Sequence, residues 1–163
     1  MNEAYLLLGS NIGDRKSTIT EAIKFVSESV GNVKVASSIY ETEPWGTDNP
    51  LPYLNQIITI DTELDAEDLL HHLLNIEKIL GRERSGVRNE PRSIDLDILF
   101  FNNEVINQPN LVIPHKRMHL RRFVLIPLAE IAPEYVHPIL GETITQILED
   151  CKDNGWVRKF NRD

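Results

Sequence analysis

Hydrophobic and polar positions follow two different periods along this chain. Ile19, Ala22, Ile23, Val26 and Val30 recur at the spacing of one helical face. That spacing predicts a helix opened by Asp14 and stopped by Gly31-Asn32. Ala66, Leu69, Leu70, Leu73, Ile76 and Leu80 predict a second helix, with Asp65 as its N-cap and Gly81 as its end. A period of two marks strands at Val33, Val35 and Ile39 and over residues 55–62, where Ile57, Ile58 and Ile60 stand. The short apolar run 5–8, closed by Gly9-Ser10-Asn11, predicts a first strand and a turn. Residues 93–101 are β-like, and Asn102-Asn103 predicts a tight hairpin turn before Val105 and Ile106. Shorter helices are predicted over 121–131 and 143–151, and a last strand over 156–160. Residues 42–52, with three prolines and one glycine, and the polar stretch 82–91 are predicted loops.

Mixed strands and helices, without repeats, low-complexity tracts or a linker, favour a single α+β domain over residues 1–163. The expected core is an antiparallel or mixed sheet with helices packed on it. A chain of 163 residues, 41% hydrophobic and 26% charged, has the composition of an ordinary globular domain. The N-terminus lacks the basic start and long apolar run of a signal peptide, and no segment is apolar enough to span a membrane. One cysteine, Cys151, excludes an intramolecular disulfide, and a cytoplasmic monomer is expected.

The net charge of −8 argues against a nucleic-acid partner. The basic residues are nevertheless clustered. Arg82, Arg84, Arg88 and Arg92 fall within eleven residues, and His115, Lys116, Arg117, His119, Arg121 and Arg122 within eight. Local positive charge on an acidic protein points to a small anionic ligand.

The sharpest chemical signal lies over residues 92–100. In a strand, Asp95 and Asp97 share one face, with Leu99 and Phe101 beyond them, and Ile94, Leu96, Ile98 and Phe100 share the other. Two neighbouring carboxylates repel unless a cation stands between them. Magnesium typically takes one or two carboxylates and completes its shell with water and phosphate oxygens. A lone Asp-x-Asp reads more readily as a solvated strand face, or as aspartates paired with nearby arginines, than as a metal site. Arg82, Arg84 and Arg88 on the adjoining loop, and Arg92 at the start of the strand, shift that balance, because a guanidinium fork suits phosphate and phosphoryl transfer is catalysed largely by positioning and charge. His115 is as readily a structural hydrogen-bonder as a phosphate ligand. There is no Walker-type phosphate loop, no zinc spacing and no nucleophile elbow.

These pieces resemble the 6-hydroxymethyl-7,8-dihydropterin pyrophosphokinase family from Tyr5 to about Pro138. The markers are Leu8-Gly9-Ser10-Asn11, Tyr40-Glu41-Thr42-Glu43-Pro44, Tyr53-Leu54-Asn55, Glu77, Gly81-Arg82, and the stretch from Pro91-Arg92-Ser93-Ile94-Asp95 through Leu96-Asp97-Ile98-Leu99. Val112-Ile113-Pro114-His115 and Arg121-Arg122-Phe123-Val124 follow, continuing into Leu125-Ile126-Pro127-Leu128. The resemblance implies a three-layer α/β/α fold around a ferredoxin-like, mainly antiparallel sheet with helices on both faces. It implies transfer of diphosphate from ATP to the pterin hydroxymethyl group, with two Mg2+ ions held by Asp95 and Asp97.

Arg82 and Arg92 match catalytic phosphate contacts, and Arg84 and Arg88 are assigned to ATP beside them. His115, Lys116 and Arg121 are assigned to the ATP phosphates, Glu77 to the nucleotide, and Ile98 to adenine through its backbone. Tyr53 and Phe123 match rings that sandwich the pterin, though core packing is the default for such side chains. Asn55 matches the reader of the pterin edge, completed by backbone groups around Thr42, Pro44 and Trp45. The chain departs from the family pattern at Asn89-Glu90, where Trp-Gly is frequent, at Leu74 in place of a glutamine, and at Asn110 and Val112. Lys116 and Arg117 are expected to compensate on the nucleotide side. The alternatives are another magnesium-dependent phosphotransferase and a non-catalytic nucleotide- or RNA-binding domain.

Overall fold

The structure, a computed structural model, describes residues 1–43, 51–85 and 94–160, with the backbone alone over 82–85. Among these residues, six strands form one antiparallel sheet. Strand β1 (Asn2–Ser10) lies between β4 (Tyr53–Thr62) and β5 (Asp95–Phe101). The far side of β4 carries β2 (Asn32–Ala36) towards one end and β3 (Tyr40–Thr42) towards the other. A last strand, β8 (Val157–Lys159), extends the sheet beyond β3. Strands β6 (Ile106–Gln108) and β7 (Leu111–Ile113) form a separate ribbon.

Side-chain alternation along β1 divides the core in two. Leu6 and Leu8 point to one face and pack with Leu96, Ile98, Ile58 and Ile60 under helices α1 (Arg15–Ser29) and α2 (Ala66–Ser85). Tyr5 and Leu7 point to the other, where Ile57, Leu99 and Phe100 meet α3 (Arg122–Ile131) and α4 (Ile144–Glu149). Asp14 caps α1 by accepting from the Ser17 N–H, and Thr143 and Gln146 form a reciprocal capping box on α4. Helix α3 is fastened to β3 from below: Glu130 accepts from the Tyr40 hydroxyl at 2.7 Å and the Ser38 hydroxyl at 2.8 Å.

Four expectations change. Helix α2 does not stop at Gly81 but runs on to Ser85, so residues 82–85 are helical rather than loop. A glycine costs about 1 kcal/mol in a helix; burial of Leu80 and the strong helix formers Arg82, Glu83 and Arg84 offset it. The strand pattern around 33–39 divides into β2 and a separate β3, whose last residue, Thr42, falls in the predicted 42–52 loop. Asn102-Asn103 does turn the chain, with Asn102 at φ 51°, but no β5–β6 hairpin follows. Asn102 instead exchanges hydrogen bonds with Glu3, adding a rung to the β5–β1 ladder, and β6 pairs with β7. Finally, Phe100 lies with Leu99 rather than with Leu96 and Ile98. Tyr5 opposes Phe100 while Leu6 opposes Ile98, so β5 has one residue more than β1 there. This bulge turns two successive side chains to the α3 face and carries Phe101 to the other face.

Candidate active site

The end of the sheet nearest Asp95 remains open on the α3 face. In the register, Gly9 of β1 stands between Asp95 of β5 and Asn55 of β4. One step along, Leu7 stands between Asp97 and Ile57. Alternation therefore brings both aspartates, Gly9, Tyr53 and Asn55 to one cavity of about 240 Å³. Arg121 and Phe123, at the start of α3, close its other side, and His115 joins from the segment after β7.

Gly9 opens the floor. A Cβ at this position would stand 2.8 Å from Asn55 Oδ1, so any side chain would displace the amide. Asn55 is buried, and its Nδ2 donates to Thr42 Oγ1 at 2.8 Å. Thr42 is buried as well, on the neighbouring strand. These groups make a fixed polar edge at one end of the cavity, beside the ring of Tyr53. The Tyr53 hydroxyl is held above its ordinary range by burial and then by the Asp95 charge.

The other end is electrostatically divided. Burial pushes the Asp97 carboxyl up, while His115 and Arg121 pull it down without cancelling the shift. Burial also lowers His115, against the opposite pull of Asp97. The His115 N–H donates to the Leu99 carbonyl at 3.0 Å, which fixes this residue against β5 just past the aspartates. Arg121 stands 5.7 Å from the Phe123 ring centroid, so the ring shields one face of the cation. Asp95 and Asp97, on one strand face and with the Asp97 carboxyl held up by burial, suit a hard divalent cation that brings further oxygen ligands. Among the described residues there is no group of three or more carboxylate, imidazole or thiol ligands.

Of the residues singled out from the sequence, Thr42, Tyr53, Asn55, Asp95, Asp97, His115, Arg121 and Phe123 converge on this cavity. Glu77 does not. It is buried on α2 beneath the opposite face, where Oε2 accepts from the Leu96 N–H at 2.7 Å. The Ile98 side chain is likewise in the α1/α2 core. Lys116 is exposed and lies outside the cavity lining, while Leu74 and Val112 are exposed. Arg82 and Arg84 lie on the last turn of α2, with side chains outside the described residues. Pro44, Trp45, Arg88 and Arg92, with Asn89-Glu90, also fall outside them. Sequence reasoning put Leu99 on the face of the two aspartates, but read Gly9 as a turn marker and passed over Leu7. Their place follows from register across three strands distant in sequence, and only the Gly in an otherwise apolar run hinted at it.

Residues 5–133 match the 7,8-dihydro-6-hydroxymethylpterin-pyrophosphokinase (HPPK) family. The chain is 42% identical over 159 residues to the 2-amino-4-hydroxy-6-hydroxymethyldihydropteridine pyrophosphokinase of Methylorubrum extorquens, covering 97% of this chain and 99% of that one. It is 46% identical over 134 residues to the enzyme of the same name from Bacillus subtilis, covering 82% and 80%. Among solved structures, it superposes on an HPPK-DHPS crystallised with substrates, with a TM-score of 0.74 at 19% identity over 91% of this chain. It spans 43% of that longer chain. Among the described residues, no helix is long and apolar enough to cross a membrane. By the extent of the sequence match and of the relatives it covers, the chain belongs to the 7,8-dihydro-6-hydroxymethylpterin-pyrophosphokinase family.

Proposed function

We propose that this chain transfers diphosphate from ATP to the hydroxymethyl group of 6-hydroxymethyl-7,8-dihydropterin, releasing AMP, as a step in folate synthesis. The observation that carries this reading is the row Asp95–Gly9–Asn55 across three strands. It joins a carboxylate end suited to a metal–phosphate group and an amide end suited to a flat heterocycle, in one cavity.

At the heterocycle end, Asn55 offers a donor and an acceptor, as a pterin edge requires. Tyr53 and Phe123 reach the cavity from β4 and α3, so a planar ring can lie against both. Thr42 holds the Asn55 amide in place, and backbone groups around Pro44 and Trp45 complete the edge. At the other end, His115, Lys116 and Arg121 serve the ATP phosphates, joined by Arg82, Arg84, Arg88 and Arg92. The ladder supports a backbone role for Ile98: the Leu96 N–H turns away from β1 to Glu77, so two residues on, the backbone groups of Ile98 face the same outer edge. Glu77 acts on the nucleotide side by fixing that edge.

Asp95 and Asp97 would hold magnesium, two ions in our reading. When bound, magnesium offsets charge on the phosphate oxygens and favours ionisation of the attacking hydroxyl. The hydroxymethyl oxygen then bonds to the β-phosphorus of ATP, and the bond from that phosphorus to the α–β bridging oxygen breaks. AMP leaves with the bridging oxygen, and the hydroxyl proton passes to solvent. Arg82 and Arg92 stabilise the charge that shifts to the bridge.

The frame in this reading is a single three-layer α/β/α domain of ferredoxin-like form. The strand order β5-β1-β4-β2, with α1 after β1 and α2 after β4, supports it. We read the protein as a cytoplasmic monomer acting on small molecules rather than nucleic acid. Pterin diphosphate should form only with ATP and magnesium together; ATP binding without turnover of this pterin would point to another acceptor.

A further inference from the structure

Arg15 lies outside the cavity, at the first position of α1. A cation in the first turn opposes the helix dipole, and Asp14 already caps the helix, so helix stability does not account for it. Its Nη1 instead donates twice, to Glu41 Oε2 at 3.0 Å and to the Pro52 carbonyl at 2.9 Å. Glu41 belongs to β3, and Pro52 immediately precedes β4. The last pair of the β3–β4 ladder is Thr42 with Tyr53, so the two acceptors flank that pair on either strand. Thr42 holds the Asn55 amide, and Tyr53 lines the cavity.

Ladder ends open most readily. Here one guanidinium spans the end and is itself sheltered, with side-chain exposures of 20% for Arg15 and 15% for Glu41 and the Phe160 ring 5.7 Å away. Burial works to raise the Glu41 carboxyl, but hydrogen bonds from Arg158 and Arg15 outweigh it and keep the group below its ordinary range. Arg158 is the lesser partner for stability. Its side chain is 68% exposed, and solvent screens such a pair.

We propose that Arg15 is a positioning residue for the heterocycle end of the cavity. Bridging Glu41 to Pro52, it holds Thr42 and Tyr53 at the separation the pterin needs. The claim rests on the pterin reading of that end, so its test carries one readout independent of the reaction.

In the intact protein, Arg15→Met should speed hydrogen exchange in peptides covering residues 40–42 and 53–55 by about tenfold. The KM for the pterin should rise by about tenfold while the KM for ATP and kcat stay within about twofold. Arg15→Lys, whose ammonium can serve both acceptors, should recover most of the pterin KM, and Arg158→Ala should leave it within about twofold. Should Arg15→Met not fold, Glu41→Gln tests the same bridge with the guanidinium kept, and should move both readouts the same way. Unchanged exchange at the ladder end overturns the proposal whatever the activity. Faster exchange with an unmoved pterin KM, or a fall in kcat alone, also overturns it and leaves Arg15 a stabilising residue only. If the wild-type protein makes no pterin diphosphate, the reaction assignment fails separately, and the exchange result alone decides whether Arg15 pins the strands.

Discussion

At Gly9 the absence of a side chain lets Asp95 and Asn55 face one cavity across β1, since a methyl would stand 2.8 Å from Asn55 Oδ1. Gly9→Ala should therefore displace the amide and raise the pterin KM by about tenfold or more, the loss expected when a site built to hydrogen-bond its ligand is misaligned. Steady-state kinetics against each substrate would check this, and an unchanged pterin KM would contradict it. Asp97→Ala should act on the chemistry instead, lowering kcat by about 100-fold or more. A kcat within about tenfold of wild type would place the metal elsewhere. The shared face of Asp95 and Asp97 was legible because it is local: residues two apart on a strand point the same way. The role of Gly9 was not, because it depends on the alignment of residues 9, 55 and 95 across three strands. Glu77 shows the reverse. The resemblance gave it a nucleotide-side role but not the means, which rests on a carboxylate buried beneath β5 and bonded to the Leu96 amide.

Between elements, there is no room for a side chain where α1 turns into β2. A Cβ on Gly31 would run into the Asp61 carbonyl on β4, a backbone atom that cannot move aside. Gly31→Ala should cost about 1–3 kcal/mol of stability, measurable by urea unfolding. No change in the midpoint would mean that β4 yields there. On the other face, His137 Nδ1 accepts from the Ile139 and Leu140 amides, both at 3.1 Å, and its ring packs on Phe100. Burial, then the charge of His119, hold His137 below its ordinary range. The unfolded chain, titrating near pH 6.5, thus takes the proton more readily than the folded one. The contribution is full above that value and is lost as pH falls through it. His115, also lowered by burial, adds in the same direction. The Tm should fall between about pH 7.5 and 5.5, and less steeply in His137→Asn, whose oxygen can replace Nδ1 as acceptor. Equal slopes would contradict the assignment. Helix α1, most of α2 and strand β4 were legible from their periods. The bulge at Leu99-Phe100 and the separate β6–β7 ribbon were not, because hydrophobic period specifies a face but not a strand's partner.

Across the whole molecule, the sheet carries a core on each face, and the cavity forms where the α3-side core stops short of the ends of β1, β4 and β5. A net charge of −8 coexists with Arg121 and His115 at that opening, so the local field there is set by a few side chains rather than by the overall charge. The mixed α+β class was legible in the alternation of periods, whereas the strand order was not, because periodicity does not say which strands pair. The central claim is that two phosphoryl groups move together from nucleotide to pterin. Phosphorus NMR of the protein with ATP, magnesium and 6-hydroxymethyl-7,8-dihydropterin tests it most directly. The account predicts AMP accumulating in step with a pterin diphosphate, whereas ADP with a pterin monophosphate would contradict it.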